Sequence, residues 1–343
     1  MTQTATVRPA PLPMPEISCV NPLEYRAALA QLFADDGRAD HAEFLERAYP
    51  GAVAEGAKAW IGTDADGRVV MHAARFPHPF TYGARRLTGG LIVNIMVARP
   101  YRTHHPARAL FQRFVADSRT EDGIDFLYTE TTERGANVLK AAGARVIARI
   151  GRFVLPIRGT NPAADVAVRA YHTSRRIGTG ASRLMSSYHA ARAFSSDAFD
   201  APVGESEELR GVHGVPLYRR RLKGYPSELD GWITVTGGRG ETAAALVRGP
   251  EPNGLTTIVK FNGSPSESAA GTLLAMVPVL RKIGCRTVQI YTPAESRFGA
   301  ELRRAGFVER EARPLVALPL SADGEEVVER VDRWRIAGLD LDI

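Results

Sequence analysis

The sequence has few cysteines and no long apolar run. Its only cysteines, Cys19 and Cys285, lie far apart, so we expect no disulfide framework and a reducing, cytoplasmic compartment. No Cys/His cluster has zinc-ligand spacing, so no metal is expected. No run reaches the about 18 apolar residues of a membrane-spanning helix. Residues 1–18 lack the apolar region of a signal peptide and are expected to form a disordered leader.

The chain is basic. It carries a formal net charge of +6 over 343 residues, with 44% hydrophobic and 24% charged residues, which is typical of a soluble protein with room for two domains. A positive charge suits nucleic acid, anionic lipid or a phosphate-bearing small molecule, and it also suits an arginine-rich soluble surface. The densest basic run, at residues 219–223, is expected to be a solvated helix face. Charge alone therefore does not discriminate among these partners.

An internal repeat occurs at a constant offset of 163 residues. The matched pairs are Tyr128-Thr129 with Tyr291-Thr292, Ala142-Gly143 with Ala305-Gly306, and Leu155-Pro156 with Leu318-Pro319. The shared offset predicts two copies of one domain. We place the copies at residues 19–160 and 215–343, joined by a helical connector and linker at 161–214.

Each copy shows the same order of elements. In the first, Asp66-Gly67 separates two alternating segments and predicts a hairpin; a helix follows from the apolar spacing of Ala107 to Val115. The full set is strands at 58–63, 68–74, 90–98 and 124–130, the helix, a short helix at 136–142, and a closing hairpin or paired strands at 145–157. The second copy repeats this order, with its long helix at 268–283. The connector is predicted to be helical up to residue 199, with a break at 178–180.

The segment VARPYRTHHPARAL, residues 97–110, joins a buried strand to a helix. A helix start directs backbone N–H groups and the positive end of the dipole toward one point, which makes an anion site. Arg102 and Arg108 add positive charge there, and Pro106 fits a first helical turn. The pattern favours a phosphate group at this turn, although an ordinary helix start with basic residues has the same pattern.

This segment and the element order resemble the GNAT superfamily of acyl-CoA N-acyltransferases. Arg102 and Ala107 match the first and last positions of that family's cofactor turn, whereas His105 stands where the family has glycine. The resemblance covers most of residues 20–157 and, more weakly, 215–320. It implies an α/β fold with a mixed sheet, arranged as two tandem GNAT-like acyltransferase domains.

The resemblance implies a co-substrate, acetyl-CoA or another acyl-CoA, bound by the first copy. The residues expected to hold it are Ile95, Met96, Val97, Arg102, Thr103, His104, His105, Ala107 and Arg108. In the family the thioester lies between two splayed parallel strands and an amine attacks it directly. The corresponding segment of the second copy, residues 260–270, has one glycine and no arginine. We therefore expect no cofactor there and a role in shaping the acceptor pocket.

Three residues are candidates for the chemistry. Glu130 ends a predicted strand and is the candidate base, although a helix-start charge would have the same pattern. Asn94 lies within an apolar strand, where its amide needs a partner: substrate, cofactor, water or a core group. Tyr128 recurs as Tyr291, which favours packing over chemistry. Leu139 occupies the position of the family's tyrosine acid, so no general acid is assigned.

Three functions remain open on the sequence. The first is transfer of an acyl group to the amine of a small-molecule acceptor. The second is a Fem-type aminoacyl transferase, the one case that requires a nucleic acid, charged tRNA. The third is a non-catalytic binding or scaffold protein. A monomer or homodimer without a membrane partner is expected in each case.

Overall fold

The structure is a computed structural model, and it describes residues 12–38, 40–102, 104–120, 123–179, 181–190, 208–212, 231–236, 242–262, 268–336 and 338–341. The basic run at 219–223 and the first eleven residues of the expected leader lie outside the described residues. Residues 237–241 and 263–267 of the second copy also lie outside them.

Strands and helices alternate along the chain. Strands β1 to β14 are Glu16–Val20, Lys58–Thr63, Val69–Tyr82, Arg85–Val97, Phe126–Glu130, Arg145–Pro156, Met185–Ala190, Leu209–Gly211, Gly231–Thr236, Thr242–Arg248, Leu255–Asn262, Thr287–Pro293, Val308–Pro319 and Trp334–Arg335. Helices α1 to α9 are Arg26–Asp35, Asp40–Ala54, His104–Thr120, Glu133–Ala141, Pro162–Gly178, Ala269–Lys282, Arg297–Ala305, Ala322–Glu329 and Gly338–Leu341.

The element order occurs twice, as the repeat predicts. The first series is β2-β3-β4-α3-β5-α4-β6, and the second is β9-β10-β11-α6-β12-α7-β13. Strands β6 and β13 span 12 residues each, at the offset of 163 found in the sequence. Helices α4 and α7 are both followed by a left-handed glycine, Gly143 with φ 95° and Gly306 with φ 93°, a conformation that glycine adopts without a Cβ clash.

The chain forms two compact units whose limits differ from those of the repeat. The first consists of residues up to Phe76 with Ile92–Thr120, and the second of Pro77–Leu91 with Glu121–Ile343. In the first unit, β1 and β3 both pair antiparallel with β2. Trp60 of β2 packs against Phe114 of α3, with 4.3 Å between ring centroids, and its indole Nε1 donates to Asp117. These contacts fix α3 on the sheet.

The second unit is built around a long mixed sheet. From the residues of β4 onward its strand order is β4-β5-β13-β6-β12-β11-β10-β9-β7. The pairs β4–β5 and β11–β12 are parallel, and the other neighbouring pairs in this order are antiparallel. The core beside the second series of elements includes Phe153, Leu155, Ile233, Leu273, Met276, Ile290, Phe298 and Leu302.

The last strands of the two series are exchanged. Strand β13 lies between β5 and β6, with Leu315 opposite Glu130, and β6 lies between β13 and β12, with Phe153 opposite Ile290. The prediction of a closing hairpin at 145–157 is therefore wrong. Gly151, the one turn-forming residue of that segment, pairs on both sides within a continuous strand. Distant strands already pair with both edges of β6, so its backbone groups do not need partners from a hairpin within the same segment.

Two further predictions are wrong in part. The leader predicted at 1–18 overlaps with Glu16–Val20, which is β1 because it pairs with β2 along its whole length. The connector predicted at 161–214 contains the expected helix α5, but Met185–Ala190 is β7 and not helix. Strand β7 pairs antiparallel with β9, so it satisfies the outer backbone groups of β9 as β1 does those of β2.

Among the described residues, no helix is long and apolar enough to cross a membrane. Neither cysteine is in a disulfide; Cys19 is exposed and Cys285 is buried. No group of three or more His, Cys, Asp or Glu side chains in the described part of the chain is arranged to hold a metal ion.

Candidate functional site

Asn94 distorts β4 in the first unit. It has φ 54°, the only positive φ of a residue other than glycine among those described, and such backbone strain concentrates at functional sites. Its side-chain Nδ2 donates to the Tyr49 hydroxyl at 3.3 Å. Its carbonyl accepts a hydrogen bond from Nδ1 of His72 at 2.7 Å. The strained residue is thus held through both its amide and its backbone.

His72 completes a closed ring of hydrogen bonds. Because a carbonyl only accepts, Nδ1 of His72 carries the proton, and Nε2 accepts from the Tyr49 hydroxyl at 3.2 Å. His72 is fully buried. Burial lowers the pKa of its imidazole to about 4, although the bond to Asn94 acts in the opposite direction. His72 is therefore neutral at physiological pH and serves to position Asn94.

The low pKa of His72 predicts acid lability. Between pH 6.5 and about 4 the unfolded chain binds a proton at this residue and the folded chain does not, so the free energy of unfolding falls as the pH falls. Over the full window the loss is about 3 kcal/mol. Denaturant unfolding from pH 7 to pH 4 measures it. The fall should be smaller in His72→Asn and unchanged in His105→Gln, a control at an exposed histidine; equal falls in both variants would contradict it.

The end of β4 and the start of α3 hold the predicted cofactor residues. Ile95 and Val97 are half-buried and Met96 is buried. After a short 3-10 turn at Arg99–Tyr101, α3 begins at His104. Thr103 and the side chain of His104 lie outside the described residues. His105 and Arg108 are exposed, and Ala107 is half-buried, so these three side chains are on or near the surface at the helix start.

Arg102 is tied to its own unit. Its Nε donates to the Val97 carbonyl at 2.8 Å, and its Nη2 lies 2.5 Å from Oδ1 of Asp36. The hydrogen bond from Arg102 lowers the pKa of the Asp36 carboxyl, with a smaller contribution from Arg99. Arg102 thus anchors the turn to the end of β4 as well as adding charge to it.

Glu130 and Tyr128, the other predicted chemical residues, belong to the second unit. The Glu130 side chain is 11% exposed and its Oε1 accepts a hydrogen bond from Nη1 of Arg313 at 3.2 Å. Burial raises the pKa of the Glu130 carboxyl, and Arg313 opposes that shift. Arg313 is on β13, the exchanged strand. A carboxyl with a raised pKa is a better proton acceptor than an ordinary glutamate.

Tyr128 is fully buried, as its pattern predicts. Its ring packs against Phe80 and Trp334, with centroids 5.6 and 6.2 Å away, and its hydroxyl lies 2.8 Å from Nδ1 of His78. Tyr291, its counterpart in the repeat, is only half-buried, and burial raises the pKa of its phenol. The two tyrosines therefore have different surroundings. Leu139, which occupies the position of the family's tyrosine acid, is buried, as expected for an apolar residue.

The helix start of the second copy is occupied by its own side chains. Ser268 accepts a hydrogen bond from the backbone N–H of Gly271 at 3.0 Å, and Glu301 accepts one from Ala270 at 3.3 Å. A carboxylate at this point takes the place that a phosphate would need. Lys260, at the repeat position of Val97, is buried.

Sequence inspection missed His72, Tyr49, Asp36 and Arg313. One signal was available for His72, a histidine within the apolar strand segment VVMHAA. Tyr49 and Asp36 come from the region of α1 and α2, and Arg313 from the other copy, so no local pattern pairs them with Asn94, Arg102 or Glu130.

No family model matches the sequence, and a search of curated proteins finds no match either. Solved structures do share the fold. A GCN5-related N-acetyltransferase from Kribbella flavida has TM-score 0.61 and 13% identity, over 90% of this chain and 73% of that one. One from Anabaena variabilis has TM-score 0.60 and 11% identity, over 90% and 74%. A conserved Enterococcus faecalis protein has TM-score 0.62 and 9% identity, over 91% and 74%. The chain therefore has the fold of the GNAT superfamily.

Proposed function

We propose that the protein is an acyltransferase that moves an acyl group from acetyl-CoA or another acyl-CoA to the amine of a small molecule. One observation carries the proposal: in a GNAT fold, β4 is distorted at the left-handed Asn94 and ends three residues later, before a basic turn and the start of α3. A strained backbone and an anion-binding helix start then lie along one short segment.

The left-handed backbone conformation of Asn94 supports binding of the acyl group. A left-handed residue turns the neighbouring peptide planes away from the regular strand direction. Backbone N–H groups held in place stabilise the oxyanion that develops when a thioester carbonyl is attacked. The proposal assigns this role to the backbone of residues 94–96, with His72 and Tyr49 as positioning residues for it.

The start of α3 supports binding of the CoA phosphates. The helix dipole and first-turn N–H groups favour an anion, and Arg108, the fifth residue of the helix, adds a positive charge nearby. Pro106 has no N–H to donate, so fewer backbone donors are present than in a glycine-rich turn. Arg102 contributes a second positive charge to the site only if the phosphate shares its guanidinium with Asp36 or displaces the Asp36 carboxylate.

Glu130 is assigned the role of base. The acceptor amine must lose a proton, because a protonated amine has no electron pair with which to attack. Glu130 takes this proton and the neutral amine attacks, so that the C–N bond forms, the C–S bond breaks and CoA leaves as the thiolate. The second proton that the nitrogen loses passes through solvent to that thiolate. The raised pKa of Glu130 suits proton acceptance, and the proposal requires the amine to come within hydrogen-bond reach of it.

Arg108→Gln tests the proposed phosphate site. We expect acetyl-CoA to bind the variant roughly tenfold more weakly, since a charge-assisted hydrogen bond contributes about 1.5–3 kcal/mol. Arg119→Gln is the matched control: it removes an exposed arginine from the last turn of the same helix, near the negative end of the dipole. Calorimetric titration measures both. Equal affinities in the two variants would show that the phosphates bind elsewhere.

A thermal shift decides between the functions. Acetyl-CoA at 100-fold its Kd should stabilise the protein by about 2.7 kcal/mol, and transfer to a panel of amines should follow. A non-catalytic binding protein is the second candidate, favoured by the ion pair that engages Arg102 with Asp36. It predicts no stabilisation by any acyl-CoA, which would overturn the proposed activity. Stabilisation by tRNA alone would favour the aminoacyl transferase.

A further inference from the structure

A group of cations surrounds the pairing of β8 with β14. These strands are parallel, with Arg210 opposite Arg335. Their guanidinium groups share one carboxylate: Oε2 of Glu208 lies 2.7 Å from Nη2 of Arg210 and 3.3 Å from Nε of Arg335. Two like charges on adjacent strands thus share the carboxylate of Glu208.

Arg335 is poorly satisfied for a buried charge. Its side chain is 16% exposed, and its Nε is buried and makes no hydrogen bond, because Glu208 lies outside hydrogen-bond geometry. Within the described part of the chain, no oxygen accepts a hydrogen bond from this guanidinium. Burial lowers the pKa of Arg335, Glu208 opposes this, and the nearby charge of Arg210 lowers the pKa further. Buried cations ordinarily have both a counterion and hydrogen-bond acceptors.

The plane of Arg335 is fixed by aromatic rings. Its Cζ lies 5.6 Å from the centre of the Phe298 ring, and Phe298 is itself stacked on Phe261 with an interplanar angle of 9°. A cation over a ring is held by one face, which leaves the N–H edge of the guanidinium as its donor surface. That planar edge matches the paired oxygens of a carboxylate or phosphate.

Lys260 of β11 places a third cation beside β8. It is buried, and its Nζ donates to the carbonyl of Gly211 at 3.0 Å, one residue after Arg210. Glu301, the other carboxylate that influences Arg335, also pairs with Arg304 and accepts from the N–H of Ala270. Among the described residues around β8, the cations Arg210, Arg335 and Lys260 therefore outnumber the carboxylates Glu208 and Glu301.

We propose that the cluster of Arg210, Arg335 and Lys260 is an oxyanion site that binds the carboxylate or phosphate group of a small molecule. The oxyanion would accept two parallel hydrogen bonds from the edge of Arg335 and would relieve its repulsion with Arg210.

The test uses the full-length protein titrated with inorganic phosphate and with acetate at constant ionic strength, followed by calorimetry. We expect saturable binding of at least one of the two, and the tighter one identifies the group. Arg335→Gln should weaken binding about tenfold or more, since it removes charge-assisted hydrogen bonds. Arg304→Gln, at an exposed arginine of α7, should bind as the wild type does.

A second variant covers the case in which Arg335→Gln does not fold. Glu208→Gln removes the competing carboxylate and should tighten binding of the probe. If Glu208 is instead the counterion of a closed ion pair, this variant binds no more tightly than the wild type, which overturns the proposal. Absence of binding to the wild type overturns it too, as does binding of wild-type strength in Arg335→Gln. Acetyl-CoA binding at α3 is tested separately, by the Arg108→Gln variant.

Discussion

A fragment that ends at residue 160 is expected not to fold as a monomer. In the full chain β13 lies between β5 and β6, and β6 also pairs with β12. The fragment keeps β5 and β6 but loses β12 and β13, so β6 loses both of its neighbours and β5 loses one. Each exposed edge leaves backbone groups unpaired and invites aggregation. We expect no cooperative unfolding transition for the fragment alone, whereas the full chain unfolds cooperatively.

Co-expression with a fragment of residues 161–343 is the control. It supplies β12 and β13, so a soluble complex of the two fragments should form and protect the amides of β5 and β6 from hydrogen exchange. A third fragment that ends at residue 320 keeps β13 and removes only the later elements, and should retain protection of β5. A monomeric, cooperatively unfolding fragment 1–160 would show that β5 and β6 can pair without the exchanged strand.

Glu130→Gln is expected to lower turnover about 10²- to 10⁴-fold, the usual range for loss of a general base. Glutamine preserves the size of the side chain and can still accept from Arg313, but it cannot take a proton from the amine. The rate at saturating acetyl-CoA and amine measures the loss, which should appear in kcat more than in KM. Unchanged turnover would remove Glu130 from the chemistry.

Two neighbouring variants separate chemistry from structure. Glu133→Gln removes an exposed carboxylate that pairs with Arg149 at the start of α4, and it should leave turnover unchanged. Arg313→Gln removes the charge that holds the pKa of Glu130 down against burial. The pKa of Glu130 should rise, so the acid limb of the kcat/KM profile should move to higher pH. A limb at the wild-type position would show that it reports another group.

Local patterns identified several elements closely. Strand β2 was predicted at 58–63 and is found there. Helix α6 was predicted at 268–283 and is found at Ala269–Lys282, with Ser268 as its capping residue. Apolar periodicity and capping depend on residues a few positions apart, so one sequence suffices to locate them.

Pairing with a distant strand extends one element beyond the residues that local sequence patterns predict. Strand β3 was predicted to end at residue 74 but continues to Tyr82. Pro77 and Pro79 suggest a break, since proline donates no hydrogen bond to a sheet. The strand continues because its far end pairs with β8, and the Pro79 carbonyl accepts a hydrogen bond from the N–H of Val212 at 2.8 Å.

The site shows the same division. Asn94 was identified because an amide in an apolar strand needs a partner, and the structure shows which groups it meets, Tyr49 and His72. Arg102 was predicted to bind phosphate through its charge and its place in the turn. Its contact with Asp36 joins residues far apart in the chain, and no spacing rule reveals such a contact.

The class of fold and the repeated order of elements of this basic chain, which has few cysteines and no membrane-spanning run, can be read from the amino-acid sequence alone. Periodicity, turn residues and the constant offset are properties of neighbouring residues and of two aligned segments. Only the tertiary structure decided that β6 and β13 exchange places and that Arg313 reaches Glu130 from the other copy. Strand partners and charge partners depend on which edges and side chains meet in space, and many pairings satisfy the same local pattern.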